Sequence, residues 1–449
     1  MKAYPEYANA HLPWLHLIPA HWGRLRNKNI FCEAKDIVGD NANDYALLSL
    51  TMQGIIYRDV ASGKGKFPKD FNTYKIVKPG DMAFCLFDMD ETPRTVGLSN
   101  YEGMLTGAYD IFHVKNINSR FVYYYYLSLD NTKALRPLYT GLRKTIKIDT
   151  FLSTKLPVPP RNEQDHIVRF LDWKVSMVNK LINAKRQEIK SLVELKRSIV
   201  SSVVTRGLSQ NVPMKNSCVK WLGDIPAHWE IVKLRKLLHP VSEKNHPELP
   251  LLSVVREQGV IVRDVEDKDA NHNYIPDDLS GYKVVRKGQF AMNKMKAWQG
   301  SYGVSDYTGI VSPAYFIFDV SFDNLEYFHY AIRSKVYVNF FAQASDGIRV
   351  GQWDLQMDKM KEIPFFVPPA DEQNAIVDYI RTTLPKYDVA IEKLQMGINA
   401  LEEYKTKLIA DVVTGTIDVR SIEIPEYEFV EAVIDETDED SDNIDEQED

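Results

Sequence analysis

From Arg161 to Arg206 the chain has neither Gly nor Pro, and Ile167, Leu171, Val178, Ile182, Ile189, Leu192, Ile199 and Val203 recur at a three-four spacing. That period puts them on one stripe of an amphipathic helix of ~45 residues, ~67 Å long. A helix this long exceeds the width of a small domain, and its apolar stripe cannot stay in water, so the pattern predicts a partner helix. A second stripe lies in the same chain. Adding 209 to each position gives Ile376, Ile380, Tyr387, Ile391, Ile398, Leu401, Leu408 and Val412, with Pro385 and Gly397 expected to kink this second helix. Ahead of each helix the pattern changes to short β-branched and aromatic runs, such as Tyr74–Val77, Tyr109–Val114 and Tyr315–Phe318, punctuated by Gly, Pro, Asn and Asp. These predict mixed strands, short helices and loops.

The helices are one part of a whole-domain duplication. Trp14-Leu15-x-x-Ile18-Pro-Ala-His-Trp22 returns as Trp221-Leu222-x-x-Ile225-Pro-Ala-His-Trp229, at an offset of 207. Gly97-x-Ser99-x-Tyr101-x-Gly103 returns at Gly303 to Gly309, and Ala108-Tyr-x-Ile-Phe112 returns at Ala314 to Phe318, both at 206. Pro159-Pro160-x-x-Glu163-Gln164 returns as Pro368-Pro369-x-x-Glu372-Gln373, and Val204-Thr205 as Val413-Thr414, at 209. So many blocks in one order are a duplication, not coincidence. The predicted fold is α+β: globular domains over 1–158 and 211–366, and long helices over 159–210 and 367–416, paired antiparallel about a pseudo-twofold axis as a coiled coil. Residues 417–449 are expected to form an acidic, disordered tail.

Charge sharpens this division. The chain carries 55 Lys and Arg against 62 Asp and Glu, a net −7, yet 14 of the acids and no base lie in residues 423–449. Residues 1–422 are therefore basic, and the acidic whole-chain balance does not argue against a nucleic-acid partner. Cys32, Cys85 and Cys218 lack CxxC spacing and read as buried free thiols. Apolar runs such as Ala83–Phe87 fall far short of the ~20 residues of a membrane span, and MKAYPEYANA has no apolar signal core, so a soluble cytoplasmic protein is expected.

The search for catalytic chemistry is mostly negative. Neither Gly63-Lys64 nor Gly65-Lys66 completes a phosphate-cradling GxxxxGK loop. Val158-Pro-Pro-Arg161 and Val367-Pro-Pro-Ala370 lack the Asn or Asp with which an amino-methyltransferase holds its target amine. HExxH and Gly-x-Ser-x-Gly are absent, and Glu33-x-Lys35 is a weak nuclease signal without an upstream Pro-Asp. No catalytic or metal-ligating residue is assigned.

Binding chemistry remains. Basic residues sit with Gly and aromatics in loops: Arg58, Lys64, Lys66, Arg94, Arg143 and Lys144 in the first half, and Arg263, Asn293, Lys294, Lys296, Trp298, Gln299 and Arg349 in the second. Arg and Lys anchor phosphates and read guanine edges, while Asn and Gln read adenine. The framework blocks match, yet Phe87–Arg94 and Asn293–Trp298 fill corresponding loops with different chemistry, as two reading heads on one scaffold would. Trp22 and Trp229 read mainly as core caps. With Glu163, Gln164, Glu372 and Gln373 they are also candidates for binding a partner protein.

The repeated Ile-Pro-x-x-Trp arm, the repeated Pro-Pro-x-x-Glu-Gln helix start and the run from Lys296 to Tyr315 resemble the DNA-specificity subunit of type I restriction-modification systems, over residues ~14 to 416. The resemblance implies two target-recognition domains, each reading one half of a bipartite asymmetric site in double-stranded DNA. It implies that the helices act as a spacer and dock two modification subunits, which bind S-adenosylmethionine and methylate adenine. Restriction subunits using ATP and Mg2+ would join that core, in a bacterial or archaeal cytoplasm, and this chain itself would hold no cofactor. The acidic tail departs from the family pattern. The competing readings are a helical scaffold that never touches DNA, and a solitary DNA nuclease or methyltransferase with an unrecognised site.

Overall fold

The computed structural model describes residues 2–58, 71–209, 211–219, 221–264, 275–276, 278–349 and 352–433, with the backbone alone at 348, 349 and 352. Among these residues two compact units form. The first comprises the chain up to Arg186 and again from Gln395 on, and the second runs from Gln187 to Leu394.

The first unit is built on a four-stranded antiparallel sheet in the order Phe31–Glu33, Asp110–Val114, Met82–Phe84, Val96–Leu98. A hairpin of Leu48–Thr51 and Gly54–Tyr57 and a pair of Lys75–Val77 with Gly103–Leu105 lie beside it. The helix Ser119–Asn131 closes one side, with the Asn118 side chain capping its first N–H groups. Phe31, Phe84, Phe112, Tyr126 and Phe151 interlock in the core at ring separations of 4.8–6.0 Å.

The second unit repeats the plan. Its sheet runs Leu238–Val241, Tyr315–Val320, Phe290–Asn293, Tyr302–Val304, with the hairpin Leu252–Val255/Gly259–Val262 and the pair Lys283–Val285/Gly309–Val311. The repeated Gly-x-Ser-x-Tyr block builds one turn in both units: Ser99 Oγ donates to Tyr101 O (2.7 Å) and accepts from Tyr101 N (3.1 Å), as Ser305 does with Tyr307 (2.8 and 3.1 Å). Gly103 and Gly309 end these blocks because backbone crosses there; a Cβ would lie 2.5 Å from Ala46 O and 2.4 Å from Pro250 O. The second unit differs in replacing the single helix with two, Leu325–Ile332 and Lys335–Gln343, and in adding a hairpin of Ser345–Arg349 and Gln352–Leu355.

The long helices span Arg161–Arg206 and Ala370–Val413, and Pro385 does not end the second. In the first unit Lys405 donates to Asn179 (3.3 Å), Arg186 pairs with Glu402 (3.3 Å), and Ile167, Phe170 and Leu171 share a core with Leu408, Ile409 and Val412. In the second unit Lys196 pairs with Asp388, and Val203 and Val204 share a core with Ile376 and Ile380. In each unit later residues of one helix meet earlier residues of the other, so the segments run antiparallel.

Two expectations are corrected. Cys85 is buried but Cys32 is half-buried and Cys218 exposed, its position on a turn with φ +62° keeping it out of the core. Residues 417–433 are held, not free. His166 Nε2 lies 2.8 Å from Val419 O, Ser176 Oγ accepts from Val430 N (3.1 Å), Asn179 donates to Val430 O (2.9 Å), and Asn183 bonds both Glu431 O and Val433 N (3.0 Å each). Composition argued for a solvated tail, but these bonds engage its backbone, which acidic side chains do not block. Among the described residues no helix is long and apolar enough to cross a membrane.

Candidate nucleic-acid interface

In each unit two of the flagged loops come together. In the first, the strand Met82–Phe84 leads into the segment 85–94, and residues 139–145 return beside it. Asp88 N donates to Arg143 O (2.9 Å), Ile146 N donates to Leu86 O (2.8 Å), and Thr140 bridges Thr145 to close a turn whose tip, Leu142, is fully exposed. Asp90 sits between two cations, 3.1 Å from Arg136 and 3.2 Å from Lys144, and Lys144 also reaches Glu91 at 2.9 Å. Desolvation opposes it, yet the hydrogen bonds and charges of Arg136 and Lys144 together hold the Asp90 carboxyl below its usual range, while Glu91 and Asp90 raise Lys144. Both cations remain substantially exposed and are held in place by carboxylates.

The second unit builds the same juxtaposition from other residues. Asn293 ends its strand and accepts from Met295 N (3.0 Å), starting the tight turn Lys294–Gln299, which Gly300 closes at φ +97°. The turn packs on the hairpin before the last strand: Trp298 stacks on Trp353 at 5.4 Å and 26°, and Lys294 lies 2.8 Å from Asp354. The Trp298 indole N–H is buried without an acceptor among the described residues. The half-exposed Gln299 completes the turn.

The other candidates are distributed as follows. Arg58 and Arg263 occupy equivalent places just past the paired hairpins, their N–H groups donating to Leu47 O and Leu251 O (2.9 Å each). Lys64 and Lys66 lie outside the described residues, and Arg349 is placed by its backbone, opposite Gln352. The carbonyl of Lys296 accepts from Ser301 N (3.2 Å). Arg94 is corrected: its guanidinium is turned inward, donating to Asp130 (3.0 Å) and Asn131 (2.9 Å) with its side chain only 10% exposed. It anchors the loop end to the helix Ser119–Asn131. Asp90, Arg136, Trp353 and Asp354 were not anticipated; Asp90 and Trp353 lie within or beside flagged loops, but nothing local marks them as partners. Glu33 and Lys35 pair with each other (3.3 Å), and among the described residues no three His, Cys, Asp or Glu side chains gather as a metal site.

The six residues considered for partner binding face inward, and they join the repeated motifs into one device. Trp22 Nε1 donates to Glu163 Oε1 (3.0 Å), Tyr4 OH donates to the same oxygen (2.7 Å), and His21 Nε2 lies 2.8 Å from Oε2. Trp229 and His228 meet Glu372 at 3.0 and 2.8 Å. Gln164 and Gln373 donate back to Pro159 O and Pro368 O (2.8 Å each), fixing the chain's entry into the long helix. Both Trp are at most 5% exposed and Glu163, Gln164 and Gln373 are buried, so the arm locks onto the helix start from within each unit.

Residues 95–191 match the family model described as type I restriction modification DNA specificity domain. The chain is similar to the type I restriction enzyme MjaVIII specificity subunit of Methanocaldococcus jannaschii, with 23% identity over 61% of this chain and 64% of that one. It is also similar to the putative MjaX specificity subunit of the same organism, with 24% identity over 60% of each. It thus spans less than two thirds of the length of these curated relatives. In fold it matches a chain solved in work on complex assembly and conformational transition of the type I R-M system, with a TM-score of 0.56 and 12% identity over 89% of this chain and 99% of that one. The paired units and the repeated arm-to-helix lock thus stand beside a family match over residues 95–191 and a similarity of the chain to type I restriction enzyme specificity subunits.

Proposed function

We propose that this chain is the sequence-recognition subunit of a type I restriction-modification complex, without catalysis of its own, and that each unit reads one part of a bipartite asymmetric site in double-stranded DNA. The observation that carries the reading is the pairing of corresponding loops with different chemistry on one scaffold. The first unit offers Arg136 and Lys144 around Asp90 and Glu91, while the second offers Lys294 against Asp354 beside the Trp298–Trp353 stack. Cations held at a surface by carboxylates exchange those partners for phosphates or base edges at little cost in order, and different loops select different bases. Two modification subunits, carrying S-adenosylmethionine, would dock on the long-helix scaffold, with restriction subunits supplying ATP- and Mg2+-dependent steps.

The test is co-expression with the cognate modification subunit and genome-wide mapping of methylated adenines. A two-part, asymmetric motif is expected. Lys294→Ala should relax or weaken one half only, by ~1–3 kcal/mol if a base contact is lost. A single continuous motif, or a Lys294→Ala change spread equally over both halves, refutes the assignment of reading heads.

A further inference from the structure

Outside the reading loops, the two units also differ in the groove between the first turn of the short helix and the start of the long helix. In the second unit the groove is open, with a volume of about 940 Å³, and Asp323, Asn324, Glu326, Asn374, Asp378 and Arg381 line it. The repeat offsets of 206 and 209 map these onto Ile117, Asn118, Arg120, Asp165, Arg169 and Asp172. The contacts agree with the mapping. Asn118 caps its helix and reaches Asp165 (2.8 Å), and Asn324 caps its helix and reaches Asn374 (2.9 Å). The Arg120–Asp172 ion pair (2.7 Å) becomes Glu326–Arg381 (2.6 Å at Nε), with the charges exchanged.

The first unit fills this place with its own chain. Arg120 lies 4.6 Å from the centre of the Phe429 ring, Ile422 and Ile424 pack on the core, and Val430 to Val433 are held through their backbone by Ser176, Asn179 and Asn183. Charge fits as well. The groove side carries Lys115, Arg120, Arg161 and Arg169 against Asp165 and Asp172, and the occupant Ile422–Val433 carries Glu423, Glu426, Glu428 and Glu431 with no Lys or Arg. At the equivalent positions the second unit has Asp323, Glu326 and Asp378 against Arg381 alone, so the field is reversed. The residues that donate to the occupant's backbone are replaced too: Ser176, Asn179 and Asn183 map to Pro385, Asp388 and Glu392, none of which can donate as an ionised or imino side chain. An acidic segment is repelled there, and donors are needed where the first unit supplies them.

We propose that the open groove of the second unit receives an extended, cationic segment of a partner protein, in the place that the first unit fills with its own acidic segment. The inference goes beyond DNA recognition and does not depend on it. The Arg381 guanidinium offers such a segment the aromatic contact that Arg120 makes with Phe429, and Glu326, Asp378 and Asp323 offer it counter-charges.

Two fluorescent peptides test this on the full chain at ~0.15 M salt. One has the sequence Ile422–Val433, and the other is the same peptide with its four Glu replaced by Lys. The Lys peptide should bind saturably and at least tenfold tighter than the Glu peptide. Glu326→Lys and Asp378→Lys should each weaken it tenfold or more, while Glu403→Lys, an exposed acid on the helix of the other unit, should leave it unchanged. Melting curves confirm that the variants are folded, and either groove variant alone suffices. No saturable binding, equal affinity for the two peptides, or an equal loss in Glu403→Lys overturns the proposal.

Discussion

Replacing Glu163 with Ala removes the acceptor that locks the N-terminal arm to the first long helix. The carboxylate side chain is 5% exposed and takes hydrogen bonds from Tyr4 (2.7 Å) and Trp22 (3.0 Å) at one oxygen, with His21 at 2.8 Å from the other. Burial and the Glu163 contact push the Tyr4 hydroxyl far above its usual range, so it stays a donor at every ordinary pH. After substitution the Tyr4 hydroxyl and the Trp22 indole are buried donors without acceptors, at ~1–3 kcal/mol each, giving ~3–5 kcal/mol in total. Glu372, in the equivalent lock, serves Trp229 and His228 and its side chain is 21% exposed, so water replaces part of what is lost and Glu372→Ala should cost ~2–3 kcal/mol. For units of this size ~1 kcal/mol moves the melting temperature by ~2–4 °C. Calorimetry with amide-exchange readout for each unit should therefore show the first unit falling by ~6–20 °C in Glu163→Ala and the second by less, ~4–12 °C, in Glu372→Ala. Glu163→Gln, which keeps one acceptor oxygen, should fall in between. Equal effects, or a larger loss from Glu372→Ala, would show that burial of the acceptor does not set the strength of the lock.

His329 accepts from Val304 N (3.3 Å), and burial, with Arg333 beside it, lowers its pKa to about 4. Below pH ~6.5 the unfolded chain gains a proton that the folded one refuses, so the second unit should lose up to ~3 kcal/mol between pH 6.5 and 4, and His329→Gln should flatten that slope in urea titrations. Gly415 ends the second long helix at φ +78°, and a Cβ there would lie 2.3 Å from the Pro19 ring; Gly415→Ala should lower the first unit's melting temperature measurably, with the second unit unchanged. Asn183→Ala removes both bonds to the backbone around residue 432, so amide exchange at Val433 should accelerate at least tenfold with little change in global melting.

Sequence alone determined the long helices and the duplication, because an uninterrupted three-four spacing and blocks repeated at offsets of 206 to 209 are local properties of the chain. The helix limits, Arg161–Arg206 and Ala370–Val413, fall within a few residues of the predicted 159–210 and 367–416. The repeated Trp and Glu-Gln blocks were legible as a pattern, but not that one is the acceptor of the other. Trp22 and Glu163 are 141 residues apart, and only the fold brings them to 3.0 Å. The same limit holds for the cations. Arg94, Lys144 and Lys294 are alike as charged loop residues, yet folding turns Arg94 inward onto Asp130, holds Lys144 against Asp90 at the surface, and sets Lys294 against Asp354. The tail shows why composition fails there: its Glu side chains predict solvation, while Ser176, Asn179 and Asn183 hold its backbone N–H and C=O groups. Every residue carries a backbone, so that contact leaves no trace in the sequence of the segment being held, and only the tertiary structure decides it.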